Sequence, residues 1–554
     1  MKKSALFSLV ILFFYTNTFS QNKPKLVVGI VVDQMRYDYL YRFEKHYSNG
    51  GFKRLLNEGL EFTNAQYNYV PTYTAPGHTS IYTGTTPAIH GIIGNNWFDK
   101  NLNKSVYCTD DESIKNVGGA SNEGKMSPRK MLTTTFGDEL KLSNNRKSKV
   151  IGIALKDRGA ILPAGHLGNA AYWFEGKSGN WISSNYYFDS LPDWVNKFNK
   201  KKFPEMYLTQ KWQTFLPIEN YKESIEDNNN FEKSFDKDGT SIFPHDIPSI
   251  FAKNKNFDLL KEIPFGNTFT KDFAIDAIKF ENLGKGEVTD IITISFSSTD
   301  YVGHRFGVSS KEVEDTYVRL DRDIEDLLKF LDLQFGKDYT VFLTADHGAA
   351  DNANYLKSLN IPAGTINDNK LSDSLKFFIK KNFGDSIFLN YSNQQIFINE
   401  NLFAEKKLSL QDFEQKVIAF LMKFDGVQNC NTASDMTKNS FSDIPRLMMQ
   451  NGFNVKKSGI ILVNYQPGWV EYGAKGSTHG APFSYDTRVP LVFFGKGINR
   501  GKCYEKVNIT DIAPSISTLL NVPFPNGCSG KPLNMYFAKW FFVEIFFLIS
   551  QQFI

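Results

Sequence analysis

Short continuous apolar runs along the chain alternate with longer stretches in which apolar residues recur every three or four positions. The clearest run, Lys25 to Val32 (KLVVGIVV), is rich in β-branched residues and stops at Asp33. A strand buried on both faces, as in a parallel sheet, carries this signature. Comparable runs stand at Val150 to Leu155, Ile291 to Ser297, Tyr339 to Thr344 and Val489 to Phe494. Between them, Lys311 to Phe335 places Val313, Tyr317, Leu320, Ile324, Leu327, Leu328 and Leu331 at helical spacing. Ser309 and Glu312 read as its capping box and Gly336 as its stop. The pattern predicts an α/β fold with a mostly parallel central sheet flanked by helices. Two stretches, at about 169–265 and 353–470, are too long for simple loops and are expected as insertions capping the ligand-binding edge of the sheet. Within the first, the polar tract Glu226 to Asp238 predicts a mobile loop, and Trp173, Trp181 and Tyr186 are read as core rather than substrate contacts.

The two ends of the chain differ from this pattern. Residues 1–20 carry Lys2 and Lys3, an apolar run from Ala5 to Tyr15, and small residues at Thr18 and Ser20. That is the pattern of a cleaved secretory signal and predicts a periplasmic protein. The apolar run falls short of the roughly 20 residues of a membrane span. Residues 21–535 are then the expected catalytic domain. The apolar tail 536–554 is broken by Lys539 and Glu544, so it too falls short of a span. With 41% hydrophobic residues, 22% charged residues and a net charge of +4, the chain has a globular composition without a polybasic tract, so charge points to no nucleic-acid or membrane partner. The four cysteines are Cys108, Cys430, Cys503 and Cys528, with Cys503 and Cys528 as the preferred pair; none forms a CxxC metal motif.

Candidate chemistry begins at Tyr69 to Tyr82, YVPTYTAPGHTSIY. Here an extended segment is expected to turn into a helix at Thr74, the candidate nucleophile. Pro76 is tolerated in a first helical turn, and Gly77 would let a ligand approach the backbone. Such a helix aims free N–H groups and its positive dipole end at an anion beside Thr74. Taken alone, Pro-Gly with nearby threonines is an ordinary turn. The balance shifts with a set of ligand-type residues further along: Asp33, Asp300 with His304 four residues later, Asp346 and His347 in TADHG, and His479 in GSTHG. Three aspartates and three histidines make a mixed oxygen and nitrogen set that suits zinc rather than calcium or magnesium, and two metals fit if Thr74 joins one of them. Singly, each is more often a helix cap or a solvated side chain. Their common occurrence at strand ends or in Gly-flanked turns favours a metal centre. His46, His78, His90, His166 and His245 lack that context and are read as structural.

The motifs VVDQMR, YVPTYTAPGHTSIYTG, GIIGNNWFD, LKDRGAILPAGH, SSTDYVGH, TADHG and GSTHGAPFSYDTRVPL together resemble the alkaline phosphatase superfamily. The resemblance is to its exported, phosphate-irrepressible alkaline phosphatases built on a phosphodiesterase-like scaffold, and runs from Lys25 to about Leu533. It implies that Asp300, His304 and His479 hold one zinc ion, and that Asp33, Asp346 and His347 hold the other, with Thr74 as the nucleophile on it. It further implies that Asn95, Lys156 and Arg158 bind the non-bridging phosphate oxygens. The implied reaction is hydrolysis of phosphate monoesters through a phosphothreonine intermediate. A phosphodiesterase or phosphonate hydrolase on the same two Zn2+ ions is the alternative among enzymes. A non-catalytic binding protein is the alternative outside them, and Thr74 speaks against it because structural zinc sites are usually closed by four protein ligands. No C-x-P-x-R pattern of the sulfatase branch surrounds Thr74.

Charge counting adds an argument from the residues. Two zinc ions carry about four positive charges, matched by Asp33, Asp300, Asp346 and a Thr74 alkoxide. A monoester dianion then needs further cations. Lys156 and Arg158 supply them, on one face if strand geometry continues past Leu155.

Overall fold

The computed structural model describes residues 23–235 and 239–535. The expected signal segment, the apolar tail and residues 236–238 of the polar tract lie outside the described residues.

Leu26–Val32 has no polar side chain for either face to show to water, and all seven residues are buried at the centre of an eleven-stranded sheet. It pairs in parallel with Tyr339–Thr344 on one side and Asp290–Phe296 on the other. Val150–Ala154 and Ala170–Glu175 extend the parallel set beyond Asp290–Phe296. The flank beyond Tyr339–Thr344 is mixed. There the Val489 to Phe494 run breaks at Pro490 into Arg488–Val489 and Leu491–Gly495, and the latter pairs antiparallel with both neighbours rather than in parallel. A strand buried on both faces reads as a continuous apolar run whichever way it points.

The Lys311–Phe335 helix buries all seven residues of the predicted stripe and ends at Gly336. Its cap is one residue later than the expected box: the Ser310 hydroxyl accepts from the Val313 N–H at 3.2 Å, while Ser309 donates to Asp351 at 2.7 Å. Glu312 faces the interior instead, on His245. The Thr74–Thr83 helix is buried over its whole length and crosses the central strand at Gly29, where a Cβ would lie 2.5 Å from the Tyr82 hydroxyl.

The stretch 169–265 contributes Ala170–Glu175 and Asn180–Ser184 to the main sheet. Trp173 and Trp181 are core residues, and Trp181 stacks on Phe273 at 4.2 Å between centroids. Tyr186 donates to the His166 carbonyl. The described part of the polar tract is pinned rather than free: Lys233 N–H donates to the Arg305 carbonyl, and the Phe231 carbonyl accepts from Gly476 N–H. The stretch 353–470 builds a separate antiparallel sheet of Phe388–Ser392, Gln395–Ile398, Ile461–Tyr465 and Val427–Thr432. Its own apolar core includes Leu375 and Ile379 of one helix and Phe413 and Val417 of another.

The four cysteines are free, so the preferred Cys503–Cys528 pair does not form. Cys503 sits opposite Phe62 on the Gly501–Asn508 strand, whereas Cys528 packs beside Gly84 at the end of the Thr74 helix. No helix among the described residues is long and apolar enough to cross a membrane.

Candidate active site

The parallel strands end level, with Val31 opposite Thr344, Val32 opposite Phe296 and Ala154 opposite Ser295. Ligand sites of open α/β sheets lie off this carboxyl edge. Asp33 follows the first strand directly, Asp346 and His347 follow Tyr339–Thr344, and Asp300 lies in the Ser298–Phe306 helix that starts just past Phe296. All four are buried, as is Lys156.

Two adjoining groups result. Asp300 Oδ1 lies 3.2 Å from His304 Nε2 and 3.7 Å from His479 Nε2. His347 Nε2 lies 3.6 Å from both Asp33 Oδ1 and Asp346 Oδ2. The His347 and His479 rings stack at 3.4 Å between centroids, and Thr74 Oγ1 is 3.5 Å from His347 Nε2. The sets whose donor atoms lie close enough to share an ion are Asp300, His304, His479 and Asp33, Asp300, His347. Asp300 therefore borders both groups. Asp346 stands beside the second, 3.3 Å from His78 Nδ1, and its other oxygen accepts from Gln34 N–H.

The donor chemistry fits a metal. His304, His347 and His479 each set Nδ1 against a backbone carbonyl, of Ser477, Gly348 and Thr72, at 2.7 to 2.9 Å. A donating Nδ1–H fixes the tautomer in which Nε2 presents a lone pair, and all three Nε2 atoms face the carboxylates. Burial pulls His347 and His479 below the ordinary histidine value, which keeps them neutral. Two buried carboxylate oxygens, Asp33 Oδ1 and Asp346 Oδ2, have no hydrogen-bond partner. Buried acceptors are normally satisfied, so these two call for a ligand. Burial raises the Asp33 carboxyl, and Asp346 raises it further against the pull of Lys156. For Asp300 burial is outweighed by His304 and Lys156, which hold it well below the usual range.

Lys156 Nζ donates to Asp33 at 2.7 Å and to Asp300 at 2.5 Å, so one ammonium bridges the two groups. The strand stops at Ala154, and Lys156 caps the Asp157–Ala164 helix with an extended backbone. Lys156 and Arg158 thus share no strand face: Arg158 rides the first helical turn. Its Nη1 donates to the Tyr107 hydroxyl at 2.9 Å, and its buried Nε has no partner. Asn95 Oδ1 accepts from Ala75 N–H at 2.8 Å, satisfying one of the open donors at the start of the Thr74 helix. Tyr73 is extended and Thr74 opens the helix, with Pro76 in its first turn. Gly77 admits a different neighbour from the one expected: a Cβ there would lie 2.4 Å from the Asp346 carbonyl, so the glycine lets the Asp346 turn, rather than a ligand, sit against the helix.

Of the other histidines, His78 has both nitrogens in the scaffold, 2.9 Å from the Thr74 carbonyl and 2.9 Å from the Ser295 hydroxyl. His90 is held by Ser80 and Ile92 N–H, and His245 by Glu312. Sequence reasoning missed Gln34, which takes a left-handed φ of 64° and donates from Nε2 to Asp300 at 2.7 Å. Its place next to Asp33 in VVDQMR was the available signal. It also missed Tyr107 and Asp157, whose 2.7 Å hydrogen bond anchors Arg158; nothing in the chain marks Tyr107.

Residues 27–481 match the family model described as type I phosphodiesterase / nucleotide pyrophosphatase. The chain is 45% identical over 517 residues to a Myroides odoratus protein named calcium-transporting ATPase, covering 92% of this chain and 94% of that one. It is 44% identical over 512 residues to alkaline phosphatase PhoV of Synechococcus elongatus, covering 92% of each. It is also 44% identical over 517 residues to alkaline phosphatase PafA of Elizabethkingia meningoseptica, covering 92% of this chain and 94% of that one. A crystal structure of wild-type alkaline phosphatase PafA superposes with a TM-score of 0.90 at 43% identity, covering 93% of this chain and 99% of that one. The carboxyl-edge site, the match across residues 27–481 and the shared PafA fold make this chain a member of the type I phosphodiesterase / nucleotide pyrophosphatase family.

Proposed function

We propose that the chain hydrolyses phosphate monoesters to an alcohol and inorganic phosphate, with Thr74 as nucleophile and two zinc ions as cofactors. The observation that carries this reading is the convergence beside Thr74 of three carboxylates and three histidines, with Asp33 Oδ1 and Asp346 Oδ2 unpartnered among them. The similarity to alkaline phosphatases PhoV and PafA supports the reaction class. Asp300, His304 and His479 would hold one ion, and Asp33, Asp346 and His347 the other. Bound there, zinc supplies Lewis acidity and lowers the pKa of a coordinated hydroxyl.

The remaining work falls to the chain. Thr74 Oγ1 gives up its proton and bonds to phosphorus as the alcohol leaves from the opposite side. Water then displaces the threonine oxygen in a second in-line step, so two inversions give net retention. Lys156, once Asp33 and Asp300 are matched by metal charge, is free to meet a phosphate oxygen. Arg158 offers its unpartnered Nε and Asn95 its Nδ2 amide. Tyr107 anchors the first and Ala75 N–H the second, so both are oriented before substrate arrives. Two cations and an amide suit a dianion better than a diester. Export of the chain to the periplasm by residues 1–20 belongs to the same reading.

Phosphate release from a simple monoester tests it. A strong chelator should abolish turnover, and zinc should restore it more fully than magnesium. Full activity in protein stripped of metal would overturn the reading.

A further inference from the structure

Among the proposed ligands His304 stands out by its exposure: its side chain is 28% exposed, against 4% for Asp300, 5% for His479 and 0% for His347. This is the open side of the site, away from Thr74, which lies against His347. Tyr472 covers it. Its ring stacks on His304 at 5.7 Å between centroids with an interplanar angle of 28°, and its hydroxyl donates to the His304 carbonyl at 2.9 Å. Over the Tyr472 ring, 3.7 Å from the centroid, sits the ammonium of Lys233.

Lys233 is placed there by the fold. Its N–H donates to the Arg305 carbonyl, and the Phe231 carbonyl two residues before it accepts from Gly476 N–H. Asn352 Nδ2 ties the same two loops together, within 3.4 Å of the Phe231 carbonyl and 2.8 Å of the Gly476 carbonyl. Among the described residues Lys233 has no carboxylate partner, whereas its cationic neighbour Arg305 is paired with Glu262. Partial burial and the Arg305 charge pull its pKa down against the opposite pull of Glu262.

Resting on the phosphatase reading, we propose that Lys233 and Tyr472 form a leaving-group subsite that selects phosphate monoesters whose leaving group carries a second anionic group. With the nucleophile on the His347 side, in-line displacement sends the leaving group out past the exposed side of His304 and toward Lys233. Tyr472 holds His304 and Lys233 in place on either side of this path, and the ammonium meets the second charge. Lys156, Arg158 and Asn95 meet the transferred phosphate, so the two recognition tasks fall to different residues.

The test compares kcat/KM for 3-phosphoglycerate, whose glycerate leaving group carries a carboxylate, with that for glycerol 3-phosphate, whose glycerol leaving group carries none. The wild-type enzyme should favour 3-phosphoglycerate, by a ratio that shrinks as salt rises. Lys233→Gln should lower that ratio about tenfold, as loss of one charge-assisted hydrogen bond does, and Lys233→Arg should keep most of it. An unchanged ratio in Lys233→Gln would overturn the proposal. Equal losses on both substrates would also overturn it, because they would make Lys233 only a support for His304. If the wild-type enzyme cleaved neither substrate, the phosphatase reading itself would fall, and the subsite with it.

Discussion

At the carboxyl ends of the parallel strands the chain buries Asp33, Asp300, Asp346 and His347, with His479 half-buried beside them, and at the start of the Lys311–Phe335 helix it buries Glu312, Glu232, Asp227 and His245. The two clusters look alike in composition and differ in what faces the carboxylates. In the first, Lys156 bridges Asp33 and Asp300, and the histidines spend Nδ1 on backbone carbonyls and turn Nε2 inward. In the second, His245 spends Nε2 on Glu312, and the nearby cation Lys311 donates to the Tyr221 carbonyl instead. There burial outweighs the pull of Lys311 and pushes Glu232 up to about 8 and, with Glu232 and Asp227 beside it, Glu312 well above the carboxylate range, while His245 falls to about 4. Carboxyls that keep their protons serve as hydrogen-bonding groups. A buried carboxylate becomes a metal ligand where positive charge and free lone pairs converge on it.

Substitutions at three places sharpen this contrast. The largest effect is expected for Thr74→Ala, which should lower turnover at least about a thousandfold, as loss of a nucleophile does, while zinc binding persists. Thr74→Ser should keep a measurable part. Near wild-type turnover in Thr74→Ala would reassign the nucleophile. Next comes the Lys156→Ala, Arg158→Ala double variant. With charge-assisted hydrogen bonds contributing roughly 1.5 to 3 kcal/mol each, kcat/KM on monoesters should fall by about two to four decades, and on diesters much less. Equal losses on the two substrate classes would defeat the phosphate-binding assignment. The smallest effect belongs to the second cluster and concerns stability. Glu232 gains a proton on folding: burial and the Asp227 charge raise its carboxyl against the pull of Asn229, Ser241 and Lys311, with Glu312 beside it. Its contribution is complete below the ordinary glutamate value of 4.5 and is lost as pH rises toward about 8. The melting temperature should therefore decline across that window in the wild-type protein and decline less in Glu232→Gln. An identical pH profile in the two proteins would remove the contrast.

Much of the first cluster was legible because its residues follow strands with an unmistakable signature: Asp33 closes KLVVGIVV, and Asp346 follows the Tyr339 run. Strand direction was not legible, since Leu491–Gly495 is as apolar as its parallel neighbours yet runs against them. Ala170–Glu175 (AAYWFE) was missed as a sheet strand because its aromatic residues read as part of an insertion. The cap of the long helix slipped by one residue because Ser309 and Ser310 both offer a hydroxyl, and only the Asp351 contact removes Ser309 from competition. Gln34, Tyr107 and Lys233 owe their roles to contacts spanning from 50 to more than 200 residues of sequence, which no local pattern records. The expected cysteine pair failed for the same reason: strand register puts Cys503 opposite Phe62.

The central claim is that Thr74 bonds covalently to phosphorus, and the most direct test is to quench the zinc-loaded enzyme in acid during turnover and map phosphorylated peptides by mass spectrometry. The account predicts phosphate on Thr74, in the YTAPGHTSIY segment, and none in Thr74→Ala. Phosphate on another residue, or an unlabelled enzyme that inverts configuration at phosphorus, would contradict it.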